Sequence, residues 1–187
     1  MQAYDLSCLQ SKDPKIKYGM QKRILELSAS QPEMLYPDFD YFVSLLHCKQ
    51  NSILLWTGIL VLGNLARVDR DHKIEAVLPQ LVSKLNTGKL ITAGNAIKAL
   101  VEIARAKPQL ADQLAGEILK VKSYRYDTAE CESIAAGHVL KNIEPIWGLL
   151  SPAVQEEVLL FARSELQNNR PATAKKARQL LKKHAPK

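Results

Sequence analysis

Two ten-residue segments decide the fold, Gly58–Arg67 with the sequence GILVLGNLAR and Ala96–Arg105 with the sequence AIKALVEIAR. They align without a gap at an offset of 38 residues, which places Leu65 on Ile103. Further steps of 38, 40 and 41 residues superpose Ile24 and Leu27 on Leu62 and Leu65; Ala136, Val139, Leu140 and Ile143 on Ala96, Ala99, Leu100 and Ile103; and Ala177 and Leu181 on Ala136 and Leu140. Successive steps of nearly equal length indicate an internal repeat of 38–41 residues.

Each repeat has the hydrophobic periodicity of α-helices. Within a repeat, apolar residues recur at i, i+3, i+4 and i+7, the spacing of an amphipathic helix. Pro14, Pro152 and Pro171 fit the first turn of a helix, where a missing N–H costs little. Glycine supplies only 8 of 187 residues and no alternating apolar run occurs, so we expect no strands. The predicted first helices are 15–29, 52–68, 91–106 and 128–147, the second helices are 37–48, 73–86, 109–122 and 152–167, and a last helix is 171–184.

The repeats predict one all-α domain over residues 1–187. Its repeats cover about 15–50, 51–89, 90–127 and 128–168, with a capping helix at 169–185. Helix 52–68 is apolar around nearly its whole circumference, so we expect it to be buried on most sides, Trp56 included. His138 lies between Ala136 and Val139 and is predicted to be an interhelix histidine.

These helix pairs resemble the HEAT/armadillo-like family of α-solenoids. The resemblance rests on Leu62, Leu65, Leu100, Ile103, Leu140 and Ile143 and on their small neighbours Gly58, Ala96 and Ala136. It implies a right-handed α-α superhelix of about four helix pairs plus a C-terminal capping helix. The family's aspartate in the turn within a repeat is matched only by Asp69 or Asp71, so the repeats are degenerate. Proteins of this kind serve as scaffolds, adaptors and transport receptors, and occasionally as nucleic-acid enzymes.

The positive charge is confined to the C-terminal end. The net charge is +7, yet residues 1–168 contain equal numbers of acidic and basic side chains. The excess consists of Arg170, Lys175, Lys176, Arg178, Lys182, Lys183 and Lys187. We expect Lys175, Lys176, Arg178, Lys182 and Lys183 to form a basic face on the last helix. Such a face is either the solvated side of a capping helix or a contact for phosphates, acidic lipid or an acidic partner.

Composition and motifs favour a cytoplasmic protein without a catalytic centre. The three cysteines are far apart, no CxxC or HxxH spacing occurs, and the N-terminus lacks the pattern of a signal peptide. The most apolar run, 53–62, is half the length of a membrane span of about 20 residues. The carboxylate pairs Asp38/Asp40, Asp69/Asp71 and Glu156/Glu157 have no supporting histidine or glycine-rich loop. We therefore expect no catalytic residue, no cofactor, no metal and no membrane contact.

The expected function is that of a protein-interaction scaffold or adaptor, because stacked second helices offer a shallow groove to a protein or peptide partner. The candidate partner-binding residues are Gln80, Lys84, Gln113, Glu117, Lys120, Tyr124, Arg125, Tyr126, Glu157 and Arg163. Tyr124 and Tyr126 are open to a second interpretation, as plugs between helix pairs. Arg67 and Arg105 occupy equivalent positions and are predicted to bond helix C-terminal carbonyls.

Two alternative functions remain open at this point. The first is nucleic-acid binding through the basic last helix, in the manner of a HEAT-like DNA-repair glycosylase. The second is a purely structural subunit that self-associates through its N-terminal pair, so that the chain is a monomer or a weak homo-oligomer.

Overall fold

The computed structural model describes residues 4–48 and 50–185, so that Lys187 lies outside the described residues. The chain divides into two compact units, which we call the N-unit, Met1–Leu78, and the C-unit, Pro79–Lys187. Throughout the described ranges the regular structure is α-helix and short 3₁₀-helix, and no strand occurs there. The all-α prediction is confirmed, whereas the single domain stays a prediction.

The N-unit is built around one apolar helix. Its helices are α1 (Pro14–Ser30), α2 (Phe39–Leu45) and α3 (Ser52–Leu65), and α4 (Lys73–Ser83) begins in it. Helix α3 packs against both α1 and α2. The side chains of Ile24, Phe42 and Leu62 are fully buried in this core.

The C-unit contains two layers of helices. Its helices are α5 (Leu90–Ala106), α6 (Ala111–Leu119), α7 (Ala129–Asn142), α8 (Pro152–Ser164) and α9 (Pro171–His184). Helix α7 packs against α5 and α9, so these three helices make one layer. Helix α6 packs against α5 and α8, and α8 packs against α9, so α6 and α8 make a second layer. The repeat itself stays a prediction.

Several predicted helices end earlier in the structure. The helix predicted at 128–147 stops at Asn142, because Pro145 has no N–H to donate and Glu144–Leu149 forms a 3₁₀-helix instead. The second helices are also shorter than predicted, since α2 ends at Leu45 and α6 is flanked by 3₁₀ turns. Helix α3 is less enclosed than predicted. The residues of α3 that are only half-buried include Ile53, Leu55, Trp56 and Leu60.

Side-chain hydrogen bonds between elements repeatedly span 36–42 residues. In the N-unit the Arg67 guanidinium bonds carbonyls 39 and 38 residues earlier, and Asn64 reaches Ser28 across 36. The bonds of Tyr4 and Tyr36 near the N-terminus span fewer residues, from 30 to 35. In the C-unit the bonded pairs are Leu85 with Tyr126, Lys89 with Asp127, Asp112 with Ser151, Lys122 with Ser164, Ser133 with Thr173, Gly137 with Lys176 and Glu144 with Lys183.

Candidate functional site

Two of the predicted partner-binding residues lie on α6, and a third, Lys120, begins the 3₁₀ turn that directly follows it. Gln113, Glu117 and Lys120 are spaced i, i+4 and i+7, which aligns them along a helix. Gln113 and Lys120 are exposed and Glu117 is half-buried. The Lys120 ammonium lies 2.7 Å from a Glu117 carboxylate oxygen, and this contact raises the lysine pKa. The two charges neutralise each other within the helix.

Helix α8 presents an exposed leucine among charged side chains. Glu157 and Arg163 are exposed as predicted, and Arg163 lies 2.8 Å from a carboxylate oxygen of Glu156. Leu160 is 55% exposed between them, and the sequence interpretation missed it. The sequence does contain a signal for this exposure. Leu160 follows Glu157 by three residues, and this spacing places the leucine on the same side of α8 as the charged Glu157. We call Gln113, Glu117, Lys120, Glu157, Leu160 and Arg163 the second-helix surface.

The predicted residues on α4 and after it include no exposed side chain, whereas every residue of the second-helix surface except Glu117 is exposed. Gln80 and Lys84 are both half-buried. The Gln80 Oε1 atom is buried without a hydrogen-bond partner among the described residues. We therefore leave these two positions out of the second-helix surface.

The residues of the Tyr124–Tyr126 segment differ in exposure, and only Tyr126 is buried. Tyr126 is only 9% exposed, and its hydroxyl donates to the Leu85 carbonyl oxygen at 3.3 Å. Burial, followed by the charges of Tyr124 and Glu132, raises the pKa of Tyr126 to about 12. Tyr126 thus fills the space between two helix pairs, whereas Arg125 is exposed and Tyr124 is half-buried.

The predicted basic face of the last helix is split between two sides of α9. Lys175, Arg178 and Lys182 are exposed, and no ion pair involves them within residues 4–48 and 50–185. Lys176 is half-buried, and its ammonium donates to the Gly137 carbonyl oxygen of α7 at 2.9 Å. Lys183 forms an ion pair with Glu144. The split follows from the 100° between successive helical residues. Spacings of three and seven keep Lys175, Arg178 and Lys182 on one side, whereas Lys176 and Lys183 come one residue later and lie about 100° away.

The charges of four cations act on His138, which lies on α7. His138 is half-buried against Gly94 of α5, in the interhelix position that the sequence predicts. Burial lowers its pKa, and so do the charges of Lys176, Lys98, Lys141 and Arg170. We call these four cations together with His138 the cation cluster; its members are Lys98, His138, Lys141, Arg170 and Lys176.

The cation cluster borders two depressions along the seam between α7 and α9. One, of about 320 Å³, is lined by Ser133, Asn169 and Arg170 among others. The other, of about 340 Å³, is lined by Lys141, Lys176 and Gln179 among others. The sequence interpretation missed the cluster as a set, because its members belong to three different helices.

The carboxylate pair Asp69/Asp71 stabilises the fold. Asp69 is 8% exposed and accepts backbone N–H bonds from Lys73 and Ile74, at 2.9 and 3.1 Å, which caps the start of α4. The Tyr36 hydroxyl lies 2.9 Å from the same carboxylate and 3.2 Å from that of Asp71. Burial and the hydrogen bond to Asp69 raise the pKa of Tyr36 to about 12.

In the described part of the chain, no three histidine, cysteine or carboxylate side chains come together in a group that could hold a metal ion. No helix there is both long enough and apolar enough to cross a bilayer. No protein-family model matches the chain, and no curated protein matches it in sequence.

Proposed function

We propose that this protein is a non-catalytic interaction module of the HEAT/armadillo-like kind, built as a right-handed α-α superhelix. The observation that carries the proposal is the span of the side-chain hydrogen bonds, which is 38–42 residues throughout the C-unit and 36–39 residues for Asn64 and Arg67 in the N-unit. A stack of helix pairs produces this regularity, because each pair contacts only its neighbours along the chain. The sequence offset of 38–41 residues has the same length.

The second-helix surface is the proposed docking site, and its occupant is an amphipathic segment of a partner protein. Leu160 supplies an apolar contact, and Glu157 and Arg163 supply charges of both signs around it. An amphipathic helix of a partner places an apolar residue between polar ones with the same spacing. Buried apolar contacts inside a polar rim are the usual energetic centre of such an interface.

Site-specific photo-crosslinking in the source cell tests this function. A photoreactive amino acid at position 160 is expected to capture one protein in stoichiometric amount. The matched control carries the same amino acid at Ile91, which is 57% exposed on α5 and so equally accessible. Capture from position 160 alone supports the proposal, whereas identical products from both positions contradict it.

Measurement with the purified partner completes the test. Binding should weaken about tenfold or more in Leu160→Asp, because a charge replaces the apolar contact. Ile91→Asp should bind as the wild type does. Equal affinity of the wild type and Leu160→Asp would overturn the proposal.

The alternative function, nucleic-acid binding, draws support from a different surface. The five basic residues predicted on the last helix do not act together, since Lys183 pairs with Glu144 and Lys176 bonds α7. The cation cluster brings Lys176 together with cations of α5 and α7 instead.

A further inference from the structure

The cation cluster depends on two close approaches between helices. A Cβ atom on Gly94 would lie 3.4 Å from the His138 Nε2 atom, in ordinary van der Waals contact, so the His138 ring packs directly on α5 at this glycine. A Cβ atom on Gly137 would lie 2.7 Å from the Thr173 hydroxyl oxygen, so α7 and α9 approach more closely still. The Thr173 hydroxyl donates to the Ser133 carbonyl oxygen at 2.8 Å, which fixes this contact. Backbone packing therefore holds the cations of three helices near one another.

The cations of the cluster outnumber the carboxylates beside them. Each charge that shifts the His138 pKa is a cation: Lys98 on α5, Lys141 on α7, and Arg170 and Lys176 at α9. Two carboxylates line the adjoining depressions, Glu130 beside Arg170 and Glu144 beside Lys141 and Lys176, and Glu144 forms an ion pair with Lys183. No ion pair involves Lys98, Lys141 or Arg170 in the described ranges of the chain. Like charges gathered in this way destabilise the fold, and a bound anion would relieve their repulsion.

Lys176 is also destabilised as a cation, both by its burial and by the positive charges near it. Burial lowers the pKa of its ammonium, and the charges of Lys141 and Arg170 lower it further. The hydrogen bond to the Gly137 carbonyl oxygen nevertheless fixes the ammonium at the seam between α7 and α9. The ammonium is therefore held in place at the depression that Lys176 lines together with Lys141.

We propose that the cation cluster binds the phosphate backbone of a duplex nucleic acid, a function on a different surface from the proposed protein interaction. Adjacent packed helices lie about 8–10 Å apart, so cations on three of them extend over roughly 16–20 Å. A duplex presents one phosphate per about 3.4 Å on each strand, which supplies several negative charges over that distance. The cluster contains no phenylalanine, tyrosine or tryptophan, and its one ring, that of His138, is half-buried, so its exposed groups are cations suited to phosphates rather than to stacking on unpaired bases.

Fluorescence anisotropy with a labelled DNA duplex of mixed sequence tests the proposal. The test variant is the double substitution Lys98→Gln and Lys141→Gln, at two exposed positions of the cluster. The matched control is Lys175→Gln with Lys182→Gln, which removes the same charge from exposed positions on the other side of α9. At low salt we expect the test variant to bind about tenfold or more weakly than the wild type, and the control within about twofold.

The salt dependence gives an independent measure. Each lost phosphate contact reduces the magnitude of the slope of log K against log salt concentration by about 0.9. The test variant lacks two lysines, so the magnitude of its slope should be smaller than that of the wild type by about 1.8. Circular dichroism establishes that both variants keep the helical fold. Equal binding of duplex RNA supports the proposal, because the contacts are to phosphate.

Three results would overturn the proposal. The first is the absence of binding by the wild type at low salt, and the second is an equal loss of affinity in the test and control variants. The third is displacement of the duplex by an acidic peptide at equal charge concentration, which would identify the cluster as a site for acidic protein segments.

Discussion

The Nη2 atom of Arg67 donates to the carbonyl oxygen of Ser28 at 2.8 Å, across 39 residues of chain. It also donates to the Ala29 carbonyl oxygen at 2.7 Å, so a cation that follows α3 satisfies carbonyls in the last turn of α1. The sequence aligns Arg67 with Arg105 and predicts one role for both. The structure assigns a different contact to Arg105, which pairs with Glu102 one helical turn earlier.

Arg67→Ala should therefore destabilise the protein more than Arg105→Ala. We expect a loss of about 1–2 kcal/mol for Arg67→Ala, because two helix C-terminal carbonyls lose a charged donor. Arg105→Ala removes an exposed ion pair and should cost at most about 0.5 kcal/mol. Urea denaturation followed by circular dichroism measures both, and equal losses would contradict the assigned roles.

Asp69→Ala should be among the more damaging single substitutions of the N-unit. The change removes the acceptor for two backbone N–H groups at the start of α4 and for the Tyr36 hydroxyl. We expect a loss of about 2–3 kcal/mol in the free energy of unfolding. Asp71→Ala, at an exposed residue with one longer contact, is the control and should cost about 0.5 kcal/mol or less. A similar loss in both variants would show that Asp69 does not cap α4.

Two helical glycines should respond to alanine in opposite directions. A Cβ atom on Gly58 of α3 would lie 2.8 Å from both the Leu45 Cβ atom and the Phe42 carbonyl oxygen. Since that oxygen belongs to the backbone, Gly58→Ala should cost about 1–3 kcal/mol. Gly19 of α1 faces open space, so Gly19→Ala should stabilise the protein by about 0.5–1 kcal/mol. Thermal unfolding of the two variants measures the difference, and a melting temperature of Gly58→Ala at or above the wild-type value would exclude close packing at α3.

Stability should fall with acidification because of His138. Burial lowers the pKa of this imidazole in the folded state, and the charges of Lys176, Lys98, Lys141 and Arg170 lower it further. The unfolded chain then binds more protons near pH 6.5, so the free energy of unfolding decreases as the pH falls through the unfolded-state value. His138→Gln should reduce this dependence between about pH 7 and 5.

Nuclear magnetic resonance of the His138 ring protons measures the titration directly. A bound anion opposes the lowering of the pKa, so the DNA duplex should raise the pKa of His138. His72, which is exposed and lies 3.1 Å from a carboxylate oxygen of Glu75, is the internal control in the same spectrum. A wild-type pKa of His138 at or above that of a free histidine would show that the cations do not act on it.

Much of the helical architecture is predictable from the sequence, because apolar spacing determines which side of a helix is buried. The prediction of a helix at 91–106 matches α5 to one residue, and the prediction at 171–184 matches α9. The shorter second helices were harder to predict. Local 3₁₀ turns around Pro108 and Lys120 follow the same apolar spacing as an α-helix over a few residues, and pattern alone does not separate the two.

The surfaces were less predictable than the helices. Composition shows residues 1–168 as neutral, which hides the cation cluster because Lys98 and Lys141 join Lys176 only after α5, α7 and α9 pack side by side. The exposure of Leu160 likewise depends on which side of α8 meets its neighbours. By contrast, the ion pair between Glu117 and Lys120 can be predicted from the i, i+3 spacing of the two residues.

The near-constant span of the side-chain hydrogen bonds has a mechanical consequence. The entropic cost of closing a loop differs by only about 0.1 kcal/mol between 36 and 42 residues. All contacts within this range therefore form at nearly the same entropic cost. Under a pulling force, a segment of about 40 residues is freed once all the contacts that hold it are broken, which adds roughly 130–145 Å of extended chain. Extension of a single molecule should therefore increase in steps of nearly uniform length.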